Sequence, residues 1–303
     1  MKRKVVKQGS ATYTVSLPAR WVKDFGVKNG DELNVDELGK ELVISPGRIA
    51  TEKKSEIDVS GLSPSLVRRY ILSLYIRGAD EMAITFSDPK TVRLVQGMVD
   101  SLIGLAVVEQ KGKAIIVKEV STPKYEEFDS LLRRIFFTLK SFGEESLERI
   151  RGEDWEGMDE MDNMENGVNR LSYLCLRILN KEGYKEFNKT SAIFDVVRFL
   201  ENIGDEYWSI CEYLAETKSR PSGETLEAYR KINGLIEDIY LVFYKFDREK
   251  LNAVYERVRK TRKSEISMLS MKKSKEEAVT LYHLRKIAEL MSYILESAMI
   301  ISL

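Results

Sequence analysis

The spacing of apolar residues changes part-way along the chain. Up to about residue 122 the apolar positions come in short alternating or continuous runs, which predict strands with short helices between them. Beyond that point they recur every three or four residues almost to the end, which predicts long amphipathic helices. We therefore expect a multidomain protein with domains at residues 1–47, 48–122 and 123–303.

The beginning of the chain predicts a strand, a strand, a short helix and two more strands. Tyr13, Val15 and Leu17 alternate with polar residues, which is typical of a half-buried strand. Such short elements bury little apolar surface, so we expect a partner copy to complete the fold. The other predicted pieces are a strand at Lys4–Lys7, a helix from Ala19 to Phe25 between Pro18 and Gly26, a turn at Asn29-Gly30, and two strands containing Leu33-Val35 and Leu42-Ile44 joined at Leu38-Gly39-Lys40.

Charge divides this beginning into two halves. Residues Lys2 to Lys28 include seven cations and one acid, Asp24, whereas residues 29–46 include five acids and one cation, Lys40. A small unit with one basic half is suited to present that half to a polyanion. The alternative is a β-rich oligomerisation module whose basic face is only solvated.

This region contains several short motifs, one after another: Lys4-Val5-Val6, Gly9-Ser10, Ser16-Leu17-Pro18-Ala19, Gly26-Val27-x-x-Gly30-Asp31 and Leu42-Val43-Ile44. With them the first 46 residues resemble the AbrB/SpoVT/MazE-type swapped-hairpin DNA-binding domain. The resemblance implies a homodimer whose chains interleave hairpins into one β-barrel, with basic residues near the first loop on DNA. Arginine is suited to bidentate contact with guanine, so we expect Arg3 and Arg20 to contact bases or phosphates and the lysines to contact phosphates. The predicted DNA-binding residues are Lys2, Arg3, Lys4, Lys7, Ser10, Arg20 and Lys23.

The middle region predicts a small α/β subdomain. It contains no phosphate-binding loop, no G-x-G-x-x-G motif and no cluster of catalytic residues. It is interpreted as a spacer or dimer-supporting domain, or as the site of a small-ligand pocket. The predicted elements are strands at Glu56–Val59, Met82–Phe86, Leu105–Glu109 and Ala114–Val120, a helix from Ser63-Pro64 to Gly78, and a helix capped by Ser87 or Asp88 that runs through Leu102.

The remainder predicts six helices in two groups of three with similar lengths. Short breaks between long amphipathic helices favour antiparallel packing in a bundle, and the grouping suggests a duplicated three-helix unit. The predicted helices are Lys124–Arg151, Glu156–Glu182, Thr190–Lys218, Gly223–Phe246, Asp247–Ser270 and Lys272–Leu303.

Carboxylates concentrate on the second and third of these helices. Glu201 and Asp205 are four residues apart, so both lie on one face of the third helix. Acidic residues run from Glu153 to Glu165 with no lysine or arginine before Asn169. Two such helices can build a multi-carboxylate site for a divalent or iron-type metal. The alternative for the acidic run is a solvated face that complements the dipole of the helix N-terminus.

The third predicted helix contains Leu200-Glu201-Asn202-Ile203-Gly204-Asp205 after Arg198, and the second contains Met164 to Leu171. Through these residues the chain resembles the PhoU family from about Lys124 to Leu303. The resemblance implies two three-helix repeats that regulate phosphate uptake and bind metal clusters through Glu/Asp-x-x-x-Asp motifs. Here Asn169 replaces the family Asp, and Arg285 and Glu289 replace the Glu and Asp of the last helix. We therefore expect a weakened metal site in the first repeat, formed by Glu165, Glu201, Asp205 and Asp162, and none in the second.

Composition limits the remaining possibilities. The 303 residues include 48 basic and 48 acidic residues, so net charge favours no partner and only local charge does. Cys175 and Cys211 lie in apolar helical patterns and are expected to be reduced thiols of a cytoplasmic protein. We expect no secretory signal and no membrane insertion. The chain has a single histidine, His283, which argues against a His/Cys zinc site and against most histidine-based catalysis. We therefore expect that the protein is not an enzyme.

Taken together with the charge pattern, the two resemblances imply a homodimeric DNA-binding transcriptional regulator of phosphate-uptake genes, with the helical domain as its sensing or partner-binding module. The alternative is an adaptor that contacts phosphate-transport or signalling proteins through its helices and uses the N-terminal domain only to dimerise.

Overall fold

The computed structural model describes residues 2–38, 41–46, 54–121, 127–269 and 273–303. The chain divides into two compact units, residues 1–51 and 52–303. The predicted turn at Leu38-Gly39-Lys40 and the predicted domain boundaries at 47/48 and 122/123 fall outside the described residues, at least in part.

The first unit consists of two hairpins and a short helix. Strand β1 (Val6–Gln8) pairs with β2 (Thr12–Thr14), helix α1 covers Ala19–Asp24, and β3 (Leu33–Leu38) pairs with β4 (Glu41–Pro46). This confirms the predicted order of elements. The second strand is shorter than predicted, because it ends at Thr14 before Val15 and Leu17. In a single copy Tyr13 and Val15 are 66% and 45% exposed and none of the unit's described residues is buried, so the half-burial of this strand stays a prediction that depends on the partner copy.

The second unit begins with a four-stranded sheet in the order β5-β6-β8-β7. β5 and β6 are parallel and joined through helix α2, and the other neighbours are antiparallel. Ser63 caps α2 through the backbone N–H of Leu66, and Gly78 ends it at φ +91°. The elements are β5 (Lys54–Asp58), α2 (Pro64–Arg77), β6 (Glu81–Thr85), α3 (Thr91–Asp100), β7 (Leu105–Lys111) and β8 (Ala114–Glu119).

Helix α3 begins later than predicted. The Asp88 carboxylate accepts a hydrogen bond from the N–H of Lys90 at 2.9 Å, and the helix begins only at Thr91. Asp88 therefore holds the turn before the helix instead of capping the helix itself.

Six long helices follow the sheet, close to their predicted bounds. Helix α6 packs most extensively against α9, and α4 packs against α7. Among the described residues, no helix combines the length and apolar character needed to span a membrane. The duplication of a three-helix unit stays a prediction. The helices are α4 (Phe128–Gly152), α5 (Asp159–Glu182), α6 (Thr190–Thr217), α7 (Gly223–Tyr244), α8 (Arg248–Leu269) and α9 (Lys275–Ser302).

The bundle and the sheet each have an apolar cluster, and Tyr173 of α5 packs against both. The apolar residues of α6, from Ile193 to Leu214, are buried in the bundle cluster, as expected of an amphipathic helix. Cys175 and Cys211 are free, fully buried thiols within the same cluster. Burial raises the pKa of the Cys211 thiol to about 12.

A buried arginine joins the bundle to the sheet. Arg177 of α5 is 2% exposed, and its guanidinium donates to the carbonyl oxygens of Tyr75 and Ala79 at 2.7 and 2.9 Å. Tyr75 lies in the last turn of α2 and Ala79 just beyond its end, so Arg177 fixes the C-terminal end of that helix. It also donates to the Glu119 carboxylate on β8 at 3.1 Å. One side chain of the bundle thereby holds a helix and a strand of the sheet domain.

Candidate functional site

Five of the predicted DNA-binding residues flank the first hairpin. Lys2, Arg3 and Lys4 precede β1, Lys7 lies within it, and Ser10 lies in the turn to β2. All five are exposed. The hairpin therefore presents four cations and one hydroxyl to solvent, which is the chemistry of phosphate contacts.

The other two predicted residues lie on α1. Arg20 is 93% exposed at its side chain and forms an ion pair with Asp24 at 3.5 Å, one helical turn away. Lys23 is also exposed. An exposed pair of this kind is weak, so Arg20 can exchange Asp24 for a phosphate at little cost.

The same unit exposes an apolar surface. Val35 pairs with Ile44 across β3 and β4, and Leu42 pairs with Glu37, so Val35, Ile44 and Leu42 lie on one face of that hairpin. Val35 and Leu42 are 55% and 64% exposed. Isolated two-stranded hairpins are marginal in water, and a contiguous exposed apolar face marks an interaction surface.

A second group of interest lies between α5 and α6. Glu201 is only 5% exposed, and its Oε1 accepts a hydrogen bond from the Tyr173 hydroxyl at 3.1 Å. Glu165 Oε1 accepts from the Asn169 amide at 2.5 Å. Burial raises the pKa of Asp205 to about 7, and the charges of Glu201 and Glu165 add to this shift. Three of the four predicted metal-site carboxylates thus share one partly buried environment; we call them the carboxylate group.

Asp162, the fourth predicted ligand, is more exposed than the other three carboxylates. It is exposed and accepts a hydrogen bond from the Asn166 amide at 3.0 Å. Two acids of the run before it, Asp154 and Glu160, pair with Arg149 of α4, which also pairs with Glu145. These surface ion pairs support the alternative in which the beginning of the acidic run is a surface face and not part of a metal site.

The carboxylate group has mixed suitability for a metal. Asn169 Oδ1 is buried and makes no hydrogen bond, and neither does Glu201 Oε2, which lies 3.6 Å from the guanidinium of Arg198. Within the part of the chain that the structure describes, however, no three His, Cys, Asp or Glu side chains converge closely enough to hold a metal ion. The arrangement as it stands therefore does not fit a metal centre, and metal binding stays a prediction.

The residue next to Asp205 forms a contact that the sequence analysis missed. Glu206 is 8% exposed, and its carboxylate lies 2.6 Å from Nδ1 of His283 and also accepts from Lys286, both on α9. Burial by itself would raise the pKa of Glu206, but these two hydrogen bonds outweigh it and lower the pKa. His283 and Lys286 are three residues apart and so share one face of α9, but nothing in the sequence identifies Glu206 as their common partner.

Comparison with known proteins gave one match. A family model described as antidote-toxin recognition MazE, bacterial antitoxin, matches residues 6–52. No curated protein and no solved structure matched the chain. The match covers the hairpins and α1, and it supports an AbrB/MazE-like domain there. It does not extend to the sheet or the bundle, so the likeness of the bundle to PhoU proteins rests on the residues alone.

The raised pKa of Asp205 predicts a pH-dependent cost to folding. Below about pH 4 the carboxyl is protonated in both the folded and the unfolded chain, so burial costs nothing; as the pH rises through 7 the folded chain must bury a charge and loses stability. Replacing Asp205 by Asn removes this cost. We expect the free energy of unfolding of Asp205→Asn, relative to wild type, to increase between pH 4 and pH 8 in urea titrations.

Asp195→Asn is the matched control, because Asp195 is an exposed residue of the same helix. Its difference from wild type should not follow this course. Identical pH dependence in the two variants would contradict the assignment.

Proposed function

We propose that the chain is a homodimeric DNA-binding regulator, a binding protein rather than an enzyme, whose N-terminal unit contacts DNA and whose helical unit receives the signal. The observation that carries the proposal is an exposed basic hairpin in a unit that buries none of its described residues and that matches the MazE antitoxin family model. The exposed cations of this unit are suited to bind a polyanion. Its exposed apolar face is suited to bind a second copy of the unit.

The second copy is argued from the apolar face of β3 and β4. Covering Val35, Leu42 and Ile44 removes apolar area from water, which is the main favourable contribution to association. A twin hairpin carries the same face and is available wherever the chain is. Two copies also double the number of cations on one assembly.

The more specific part of the proposal is that the regulated genes serve phosphate uptake. Only the PhoU-like residues of α5 and α6 support it, among them Arg198 and Glu201. An adaptor that acts on a phosphate transporter or signalling protein is the second candidate, and it is favoured by the same helices. The matched family model describes antitoxins. A similar role for this chain, with a partner protein bound by the helical unit, would also be a function through protein–protein contact.

Dimerisation is tested by placing a charge on the apolar face. Leu42→Asp should convert the full-length chain from dimer to monomer in sedimentation velocity, because a buried unpaired carboxylate is strongly unfavourable in an interface. Asn34→Asp adds the same charge on the opposite face of the hairpin and should leave the mass unchanged. A Leu42→Asp protein that remains a dimer would remove this interface.

DNA binding is tested through its dependence on salt. Affinity should fall steeply between about 50 and 200 mM salt, and removal of a single phosphate-binding cation should reduce the log–log slope by roughly 1. We expect Arg3→Ala and Arg20→Ala to weaken binding in fluorescence anisotropy. Lys28→Ala removes a cation of the same unit that is not among the predicted DNA-binding residues, and should have little effect. Salt-independent binding, or equal weakening in all three variants, would favour the adaptor.

Phosphate specificity is tested in the cell. Chromosomal occupancy of the tagged protein should differ between phosphate excess and phosphate starvation at genes for phosphate transport. Occupancy that is unchanged there, or that lies at other genes, would refute the phosphate assignment and leave DNA binding intact.

A further inference from the structure

Helix α5 carries polar residues at intervals of four: Glu165, Asn169, Tyr173, Arg177 and Lys181. Side chains four apart on a helix are neighbours, so this set forms one continuous stripe that winds slowly round α5. The stripe begins in the carboxylate group and ends at the sheet domain. We call it the α5 stripe.

The C-terminal end of the α5 stripe is firmly attached. Besides the hydrogen bonds of Arg177, Lys181 donates to Asp80 at 2.6 Å and to Glu119 at 2.8 Å. Gly78 lies so close that a Cβ there would be 2.7 Å from Cγ of Lys181. Charged hydrogen bonds in partly buried positions are strong and directional. This end of α5 therefore cannot shift without moving the end of α2.

Tyr173 lies where the stripe passes between the two apolar clusters. Its ring packs against the sheet cluster, to which α2 contributes Val67 and Ile71, and also against the bundle cluster. Its hydroxyl donates to Glu201 of α6. One side chain thus contacts the sheet domain through its ring and the carboxylate group through its hydroxyl.

Helix α5 packs against α2, and Tyr173 is the residue of α5 that joins the sheet cluster to Glu201. Burial raises the pKa of Glu201, and the charges of Arg198, 3.6 Å away on α6, and of Arg69 on α2 oppose this shift.

We propose that Tyr173 couples the carboxylate group of the bundle to helix α2 of the sheet domain. Any change that withdraws the Glu201 oxygen from the Tyr173 hydroxyl releases the ring from its position and loosens α2. On the C-terminal side Arg177 and Lys181 fix α5 to the sheet domain, so a change at Tyr173 acts on the part of α5 that contacts α2. The inference does not depend on DNA binding or on phosphate.

Hydrogen–deuterium exchange of the full-length protein tests the coupling. Tyr173→Phe removes only the hydroxyl and should speed amide exchange in α2, residues 67–77, by about three- to tenfold, as expected for the removal of one buried hydrogen bond. Exchange in α7, which packs against other helices of the bundle, should not change. Tyr213→Phe is the matched control, because the Tyr213 hydroxyl on α6 is buried and makes no hydrogen bond among the described residues.

A double-mutant cycle separates coupling from general destabilisation. Glu201→Leu removes the acceptor, so in that background Tyr173→Phe should no longer change exchange in α2. The same acceleration in both backgrounds, or equal acceleration of α2 and α7, would overturn the proposal. Neither result would bear on whether the N-terminal unit binds DNA.

Discussion

The guanidinium of Arg177 makes the interaction on which the architecture of the second unit depends. A buried arginine must have its charge balanced and its donors satisfied, and here a strand carboxylate and the carbonyls of Tyr75, in the last turn of α2, and Ala79, just beyond it, do both. The arrangement requires α5, α2 and β8 to keep one relative position. A sheet and a helical bundle that each have an apolar cluster are thereby made into one unit.

The N-terminal unit follows the opposite principle. It has regular hairpins and a well-defined short helix, but none of its described residues is buried. Its apolar residues are placed on surfaces, as Val35 and Leu42 show. In the proposed dimer such a unit gains its stability from association, so its fold, its oligomeric state and the exposure of its basic residues depend on one another.

Helix positions could be predicted well, because the apolar period of α6 and the capping of α2 by Ser63 and Gly78 are local signals. Local signals failed where a competing interaction intervened. Asp88 holds a turn before α3, and α4 ends in the left-handed conformation at Glu153 (φ +56°) although Gly152 precedes it. The hydrogen bonds of Arg177 and the pairing of Glu206 with α9 could not be predicted, since their partners lie between 58 and 102 residues away in sequence.

The positions of the two cysteines have a practical consequence. Cys175 and Cys211 are the chain's whole complement of thiols, and each is sealed in the bundle on a different helix of the pair that holds the carboxylate group. A thiol there cannot react with an alkylating reagent until α5 or α6 exposes it. Labelling kinetics of the unmodified protein therefore measure how often this helix pair separates, without any engineered probe.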